Sequence, residues 1–164
     1  MRKSILLIVL TAAFISLSSS LQAHCQIPCG IFNDHLRVKL MSEHVTTIEK
    51  SMKFIDKLSK DPASNMNQIV RWVNNKNDHA DELTEIVTYY FLAQRIKIID
   101  SSDKAAFADY QQKLSLLHQI MVYSMKAKQT TDLQNTDKLR TLIADFDKAY
   151  FNERDKKHLE SHEK

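Results

Sequence analysis

Glycine is almost missing from this chain of 164 residues, which holds one glycine, two prolines, two cysteines and one tryptophan. β-Sandwiches and many-stranded barrels place glycine and proline at their tight turns, so a chain this poor in both is not built that way. Phosphate-cradling loops of the GxGxxG and GxxxxGK[ST] kinds need at least two glycines and cannot be written with one. The common nucleotide-dependent chemistries are thereby excluded. An excess of one charge is lacking too. Lys and Arg number 23 against 20 Asp and Glu, and Arg2 and Lys3 fall in a leader read as removed, which leaves 21 against 20. Such a balance offers neither the net basic face that nucleic acid requires nor a polybasic membrane patch.

What is present begins with that leader. Arg2 and Lys3 precede an apolar run over residues 5–17 and a small, polar stretch over 18–23. This is the layout of a secretory signal peptide, with cleavage by signal peptidase expected after Leu21-Gln22-Ala23. The apolar run is short for a full span, so an uncleaved anchor is the weaker reading. Residues 1–23 are thus read as the signal peptide and 24–164 as the exported domain, periplasmic or extracellular, with no stable membrane association after cleavage. Removing 23 residues from 164 leaves a mature chain of 141 that begins at His24.

With 43% hydrophobic and 26% charged residues, the chain can bury one core but not comfortably two. Its apolar positions recur at helical spacing. Met41, Val45, Ile48, Met52 and Ile55 form a first stripe within residues 34–60, which Asp61-Pro62 ends because proline disfavours helical geometry before it. Ser64 is the expected cap of a second helix carrying Ile69, Val73, Ala80, Leu83, Val87 and Tyr90. A polar break at 100–103 precedes Phe107, Tyr110, Leu114, Leu117, Met121 and Met125. Another at 129–132 precedes Leu139, Leu142, Phe146, Ala149 and Tyr150. Four stripes with short connectors predict an all-α, antiparallel four-helix bundle over about residues 34–157. Tyr89, Tyr90 and Phe91 cannot all face one core, so one or two of these rings are expected to meet another helix or another subunit.

The chemistry gathers at the expected new N-terminus. Residues 24–30 read His-Cys-Gln-Ile-Pro-Cys-Gly and hold both cysteines and the single glycine. A Cys25–Cys29 disulfide would close a tiny loop and remove little entropy from the unfolded chain, so a structural role for the pair is weak. Cleavage would give His24 a free α-amine beside its imidazole. Cys25 offers a thiolate and an ionisable backbone nitrogen, and Cys29 a second thiolate. Two nitrogens and two sulfurs in one short hook suit a square-planar ion, nickel(II) or copper(II), over tetrahedral zinc. Pro28 fixes the bend, and Gly30 lets the chain leave it without a side-chain clash.

The run His24-Cys25-Gln26-Ile27-Pro28-Cys29-Gly30-Ile31-Phe32 resembles the nickel hook, HCxxPCGx[Y/F], of the nickel-containing superoxide dismutases. Asn67-Gln68-Ile69-Val70-Arg71-Trp72-Val73, followed by His79-Ala80, is similar to a second-helix stretch of some bacterial members. The resemblance implies an oxidoreductase that disproportionates superoxide to dioxygen and hydrogen peroxide. One nickel ion per subunit would cycle between Ni2+ and Ni3+. His24 would bind through its amine and, in the oxidised state, its imidazole; Cys25 through sulfur and backbone nitrogen; Cys29 through sulfur. The resemblance further implies a homohexamer of four-helix subunits and a nickel-loading factor.

Two departures stand out. The better-known members carry aspartate at the position of Gln26 and tyrosine at that of Phe32, so a phenol is missing beside the metal. The family's carboxylate toward the axial imidazole falls, by counting, at Leu40. Glu43 is therefore the candidate if the loop before the first helix is longer, with His79 of an adjacent subunit as its partner. His35, His44 and His118 read as single surface or helix-face residues, and His158 and His162 as part of a charged tail. Two other classes of function remain open on the residues alone. One is an exported nickel- or copper-binding protein without turnover, the other a helical interaction module with an incidental disulfide.

Overall fold

The computed structural model describes residues 32–151. The expected leader, hook positions 24–31 and the tail from 152, including His158 and His162, lie outside the described residues. Four helices run α1 (Asp34–Leu58), α2 (Pro62–Glu85, continued by a π-helical segment Ile86–Arg95), α3 (Lys104–Gln129) and α4 (Gln134–Tyr150). Each packs against its neighbours in sequence, and α1 also packs against α4, which closes the ring of an up-down bundle. Among the described residues no helix is long and apolar enough to cross a membrane.

Local chemistry sets the helix starts. The Asn33 side chain accepts from the Leu36 N–H at 3.0 Å, and Asp103 accepts from Ala106 at 3.0 Å. For α2 the cap is Asp61, which accepts from the Ser64 N–H at 3.4 Å; Ser64 therefore donates to the cap instead of being it. Pro62 stands at the first helical position, where its missing N–H costs nothing. The prolyl residue that ends α1 thus also starts α2.

The first stripe is buried throughout, and so is the fourth apart from the half-buried Ala149 and Tyr150. The second is buried from Ala80 onward, while Ile69 and Val73 are half-buried toward the α1–α2 turn. The third differs from the sequence expectation. Beyond Leu117 its seam runs through Ile120, Ser124 and Ala127, and Met125 is 56% exposed. Steps of three and four from Leu117 admit both courses. The structure takes the one with small residues at Ser124 and Ala127, beside the buried Lys76 of α2.

Lys76 is only 3% exposed, and its ammonium donates to the carbonyls of Ala127 (2.7 Å), Lys128 (2.5 Å) and Thr130 (3.1 Å). These are carbonyls that the end of α3 leaves without intrahelical partners, at the negative end of the helix dipole. Burial, and then the charge of Lys128, push the Lys76 pKa below its ordinary value. One buried cation thereby caps α3 and ties it to α2. Nearby, the Ser124 hydroxyl is buried without a hydrogen-bond partner.

Opposite stability changes are expected at these two seam positions. Lys76→Met leaves three carbonyls to find other donors and should cost about 2 kcal/mol, whereas Ser124→Ala removes an unsatisfied hydroxyl and should gain about 1 kcal/mol. Urea unfolding of the two variants checks both signs.

Candidate functional site

The described chain begins at Phe32, the last position of the hook motif, so the bundle end at Phe32 and Asp34 is where the hook is rooted. Asp34, in the first turn of α1, accepts from the Tyr90 hydroxyl at 2.6 Å and the Tyr150 hydroxyl at 2.8 Å. The Arg95 guanidinium reaches the same carboxylate through Nε (2.9 and 3.1 Å) and Nη2 (2.6 Å). Three helical elements meet on one carboxylate. Burial opposes ionisation of Asp34, but the bonds from Arg95, Tyr90 and Tyr150 outweigh it and hold its pKa below the ordinary 3.8. Burial first, and then the Asp34 charge, push the Tyr90 hydroxyl up to about 12 and raise Tyr150 as well.

The π segment makes this convergence possible. Its backbone bonds close over five residues, as in the 2.9 Å bond from the Ile96 N–H to the Phe91 carbonyl. Residues five apart then stack on one face, which puts Tyr90 and Arg95 beside the same acceptor. The wider turn also lets Tyr90 and Phe91 both enter the core of their own chain. Of the aromatic trio, only Tyr89 is left out, 49% exposed. Phe91 packs edge-on against Phe146 (4.9 Å) and Tyr150 (5.3 Å).

Phe32 rests on this assembly. Its ring meets Tyr90 edge-on at 5.9 Å and lies under the Arg95 guanidinium at 4.4 Å. A second cation, Arg37, sits 5.0 Å over the Tyr90 ring. An open cleft of about 490 Å³ extends from Tyr90 and Tyr89 past Arg37 and Leu40 to His44, Glu82 and Glu85. Leu40 lines that cleft, whereas Glu43 is exposed on α1 and its carbonyl accepts the Thr47 hydroxyl at 3.2 Å. His79 has partners in its own chain: its Nδ1 is 2.9 Å from Nδ1 of His44 and 3.3 Å from a Glu82 oxygen. His24, Cys25, Pro28 and Cys29 lie outside the described residues.

Two groupings escaped the sequence reading. Asp34, Tyr90, Arg95 and Tyr150 are scattered over the chain, and an α-helical wheel separates Tyr90 from Arg95. The pairing of His44 with His79 was accessible from the hairpin register. Asn75 bonds Ser51 across the α1–α2 pair at 2.9 Å, and Trp72 stacks on Phe54 at 4.6 Å. Continuing that antiparallel register brings residue 79 opposite the neighbourhood of residue 44.

The Asp34 cluster has a defined pH signature. The folded pKa of Asp34 lies below its unfolded value, so its contribution is complete above pH 3.8 and lost as pH falls through the lower folded value. That of Tyr90 lies above the ordinary 10, so its contribution is complete below pH 10 and lost as pH rises toward 12. Asp34→Asn should lower stability at pH 7 by about 1.5–3 kcal/mol, the range for hydrogen bonds to a charged group. It should also shrink the alkaline loss between pH 10 and 12. Urea titrations across pH check this, and an unchanged alkaline limb in the variant would refute the coupling.

Comparison with known proteins bears on what the hook is for. No curated protein and no solved structure matches the chain. The sequence pattern of the family described as nickel-containing superoxide dismutase matches residues 19–154, which takes in the hook, all four helices and every member of the Asp34 cluster. That family implies a nickel cofactor and an oxidoreductase acting on superoxide. A match over most of the chain, onto a four-helix bundle with the hook motif at its head, establishes that this protein belongs to the nickel-containing superoxide dismutase family.

Proposed function

We propose that His24, Cys25 and Cys29 hold the nickel of this superoxide dismutase and that removal of residues 1–23 completes the site by freeing the His24 amine. The observation that carries this reading is the sequence His24-Cys25-Gln26-Ile27-Pro28-Cys29-Gly30 inside the matched span. The donor set fits the ion. Two anionic thiolates, an amidate and an amine suit square-planar nickel, and strong anionic donation stabilises its higher oxidation state. Bound there, nickel supplies one-electron chemistry, Ni3+ oxidising one superoxide to dioxygen and Ni2+ reducing the next to hydrogen peroxide.

The chain's part is to hold the hook and to manage protons. Pro28 shapes the bend. Phe32, the hook's last residue, is anchored between Tyr90 and Arg95. Phe32 has no hydroxyl to donate, and the nearby phenols of Tyr90 and Tyr150 are committed to Asp34 with raised pKa values. Protons for peroxide formation therefore come from water in the open cleft rather than from these tyrosines.

Export through a signal peptidase, to the periplasm or beyond the cell, belongs to the same reading, as do loading by a nickel-delivery factor and assembly as a homohexamer. Assembly would shield the thiolates from peroxide. Tyr89, the ring of its cluster left exposed beside the cleft, supports a contact with another subunit.

The experiment compares N-terminal variants of the nickel-loaded protein by pulse radiolysis and by the electron paramagnetic resonance of nickel(III). One residue added before His24 should abolish turnover while the helices stay folded by circular dichroism. Cys25→Ser and Cys29→Ser should lose both turnover and the nickel(III) signal. His24→Ala keeps the amine, both sulfurs and the amidate, so it should retain nickel and show reduced turnover. Full activity in the extended form, or serine variants as fast as His24→Ala, would overturn the assigned donors.

A further inference from the structure

His44, His79 and Glu82 stand together on the α1–α2 hairpin. The two Nδ1 atoms are 2.9 Å apart, and one Glu82 oxygen lies 3.2 Å from that of His44 and 3.3 Å from that of His79. Three lone-pair-bearing atoms thus face a single point. In the neutral pair two Nδ1–H protons would meet across the 2.9 Å contact, and a single Nδ1–H can serve only one imidazole–imidazole or imidazole–carboxylate contact. The remaining nitrogen then turns its lone pair toward a carboxylate oxygen. A second proton would relieve this only by placing a charge on a half-buried imidazole. Burial works against that at His44, pushing its pKa below the ordinary histidine value despite the pull of Glu82.

A cation at the shared point resolves all three contacts at once. A triangle with these edges admits a position on either side of its plane about 2.0–2.1 Å from each corner, which is the usual zinc–nitrogen and zinc–oxygen distance. The geometry points to a second metal site that uses none of the hook's donors: His44, His79 and Glu82 form a three-ligand seat for a divalent transition ion of borderline softness, with Zn2+ as its representative.

The fold supports this seat in three ways. His79 and Glu82 are three apart on one face of α2, and His44 comes from the facing α1, the arrangement by which helical bundles build metal sites. Phe54 on Trp72 and Ser51 with Asn75 fix the register of the same two helices, so the donors are held by rigid elements. His44 and Glu82 also line the open cleft, which gives an ion an entry path and gives water the remaining coordination positions. Two imidazoles with one carboxylate suit zinc, nickel or copper, and the absence of sulfur separates this donor set from that of the hook. Binding through both Nδ1 atoms leaves each neutral imidazole its one proton at Nε2, so the proton at Nδ1 is exchanged to that position with no net release, and the ion staples α1 to α2.

The test uses the mature full chain carrying Cys25→Ser and Cys29→Ser, so that the hook thiolates do not take the probe. Zn2+ is titrated against a chromogenic chelator. One equivalent should bind, and Co2+ in its place should show ligand-field absorption characteristic of nitrogen and oxygen donors. Outer partners of metal ligands cost about 10–100-fold in affinity when removed, so H44A or H79A should weaken binding by at least that factor. E82Q, at a half-exposed position, should weaken it too without disturbing the core, which keeps the test decisive if a histidine variant fails to fold. H118A should leave binding unchanged. If the parent binds no Zn2+, or if H44A, H79A and E82Q all bind it as the parent does, the three side chains are a hydrogen-bonded group only and the site is refuted.

Discussion

The carboxylate of Asp34 is the point on which the working end of this molecule depends. It accepts from two tyrosines and an arginine contributed by the π segment and by α4, while its own backbone begins α1 one step after the residue that caps it. Asn33 and Asp34 follow directly on Phe32. Any displacement of the start of α1 would therefore strand a charged guanidinium, the buried phenol of Tyr90 and the half-buried one of Tyr150, each of which loses more by going unpaired than a neutral surface contact would. Phe32, the last residue of the hook motif, is held against this cluster by Tyr90 and Arg95.

The π segment is the price of that arrangement, and several side chains offset it. A widened helix has poorer backbone geometry than an α-helix and rarely persists without support. Here Thr84 and Thr88 bond back to the carbonyls of Ala80 and Thr84, both at 2.9 Å, where the helix begins to widen, and Gln94 caps the Tyr89 carbonyl at 2.6 Å. Tyr90 and Phe91 then bury their rings side by side, and Arg95 arrives over Phe32. The unusual helix is retained because the contacts it creates cannot be made by a regular one. An α-helical course would rotate Arg95 away from both Asp34 and Phe32.

How much of this could be read from the sequence depended on whether the information was local. The four helices, their breaks and the buried stripes of α1 and α4 follow from periodicity, because burial of Met41, Val45, Ile48 and Met52 needs only one consistent face. Past Leu117 periodicity equally admits the more apolar course through Met121 and Met125, whereas in the structure Ser124 and Ala127 are buried, Met121 is only partly so, and the Ala127 carbonyl accepts from Lys76. Asp61 was passed over as the cap of α2 because it also reads as the terminator of α1. The Asp34 cluster lay beyond sequence reading for a stronger reason. Its members are brought together by a helix type that no periodicity announces. The hook motif, by contrast, is legible because its donors are packed within residues 24–29, and their chemistry needs no fold to be recognised.

That division between local donors and a distant frame bears on how protons reach the reaction. The hook motif admits tyrosine or phenylalanine at its last position. Here Phe32 holds that position, and the structure supplies two phenols close by at Tyr90 and Tyr150. Neither can substitute. Each hydroxyl is desolvated by burial and donates to an ionised carboxylate, so giving up its proton would create a poorly solvated second anion in contact with the first, and both pKa values rise. The same bonds that hold the start of α1 therefore make both phenols poor proton donors. Hydrogen peroxide needs two protons for each turnover, and we propose that water in the open cleft beside Tyr90 delivers them. At Tyr90 and Tyr150, bonding to Asp34 and ready release of a proton exclude each other, and the residues around Asp34 serve rigidity at the start of α1.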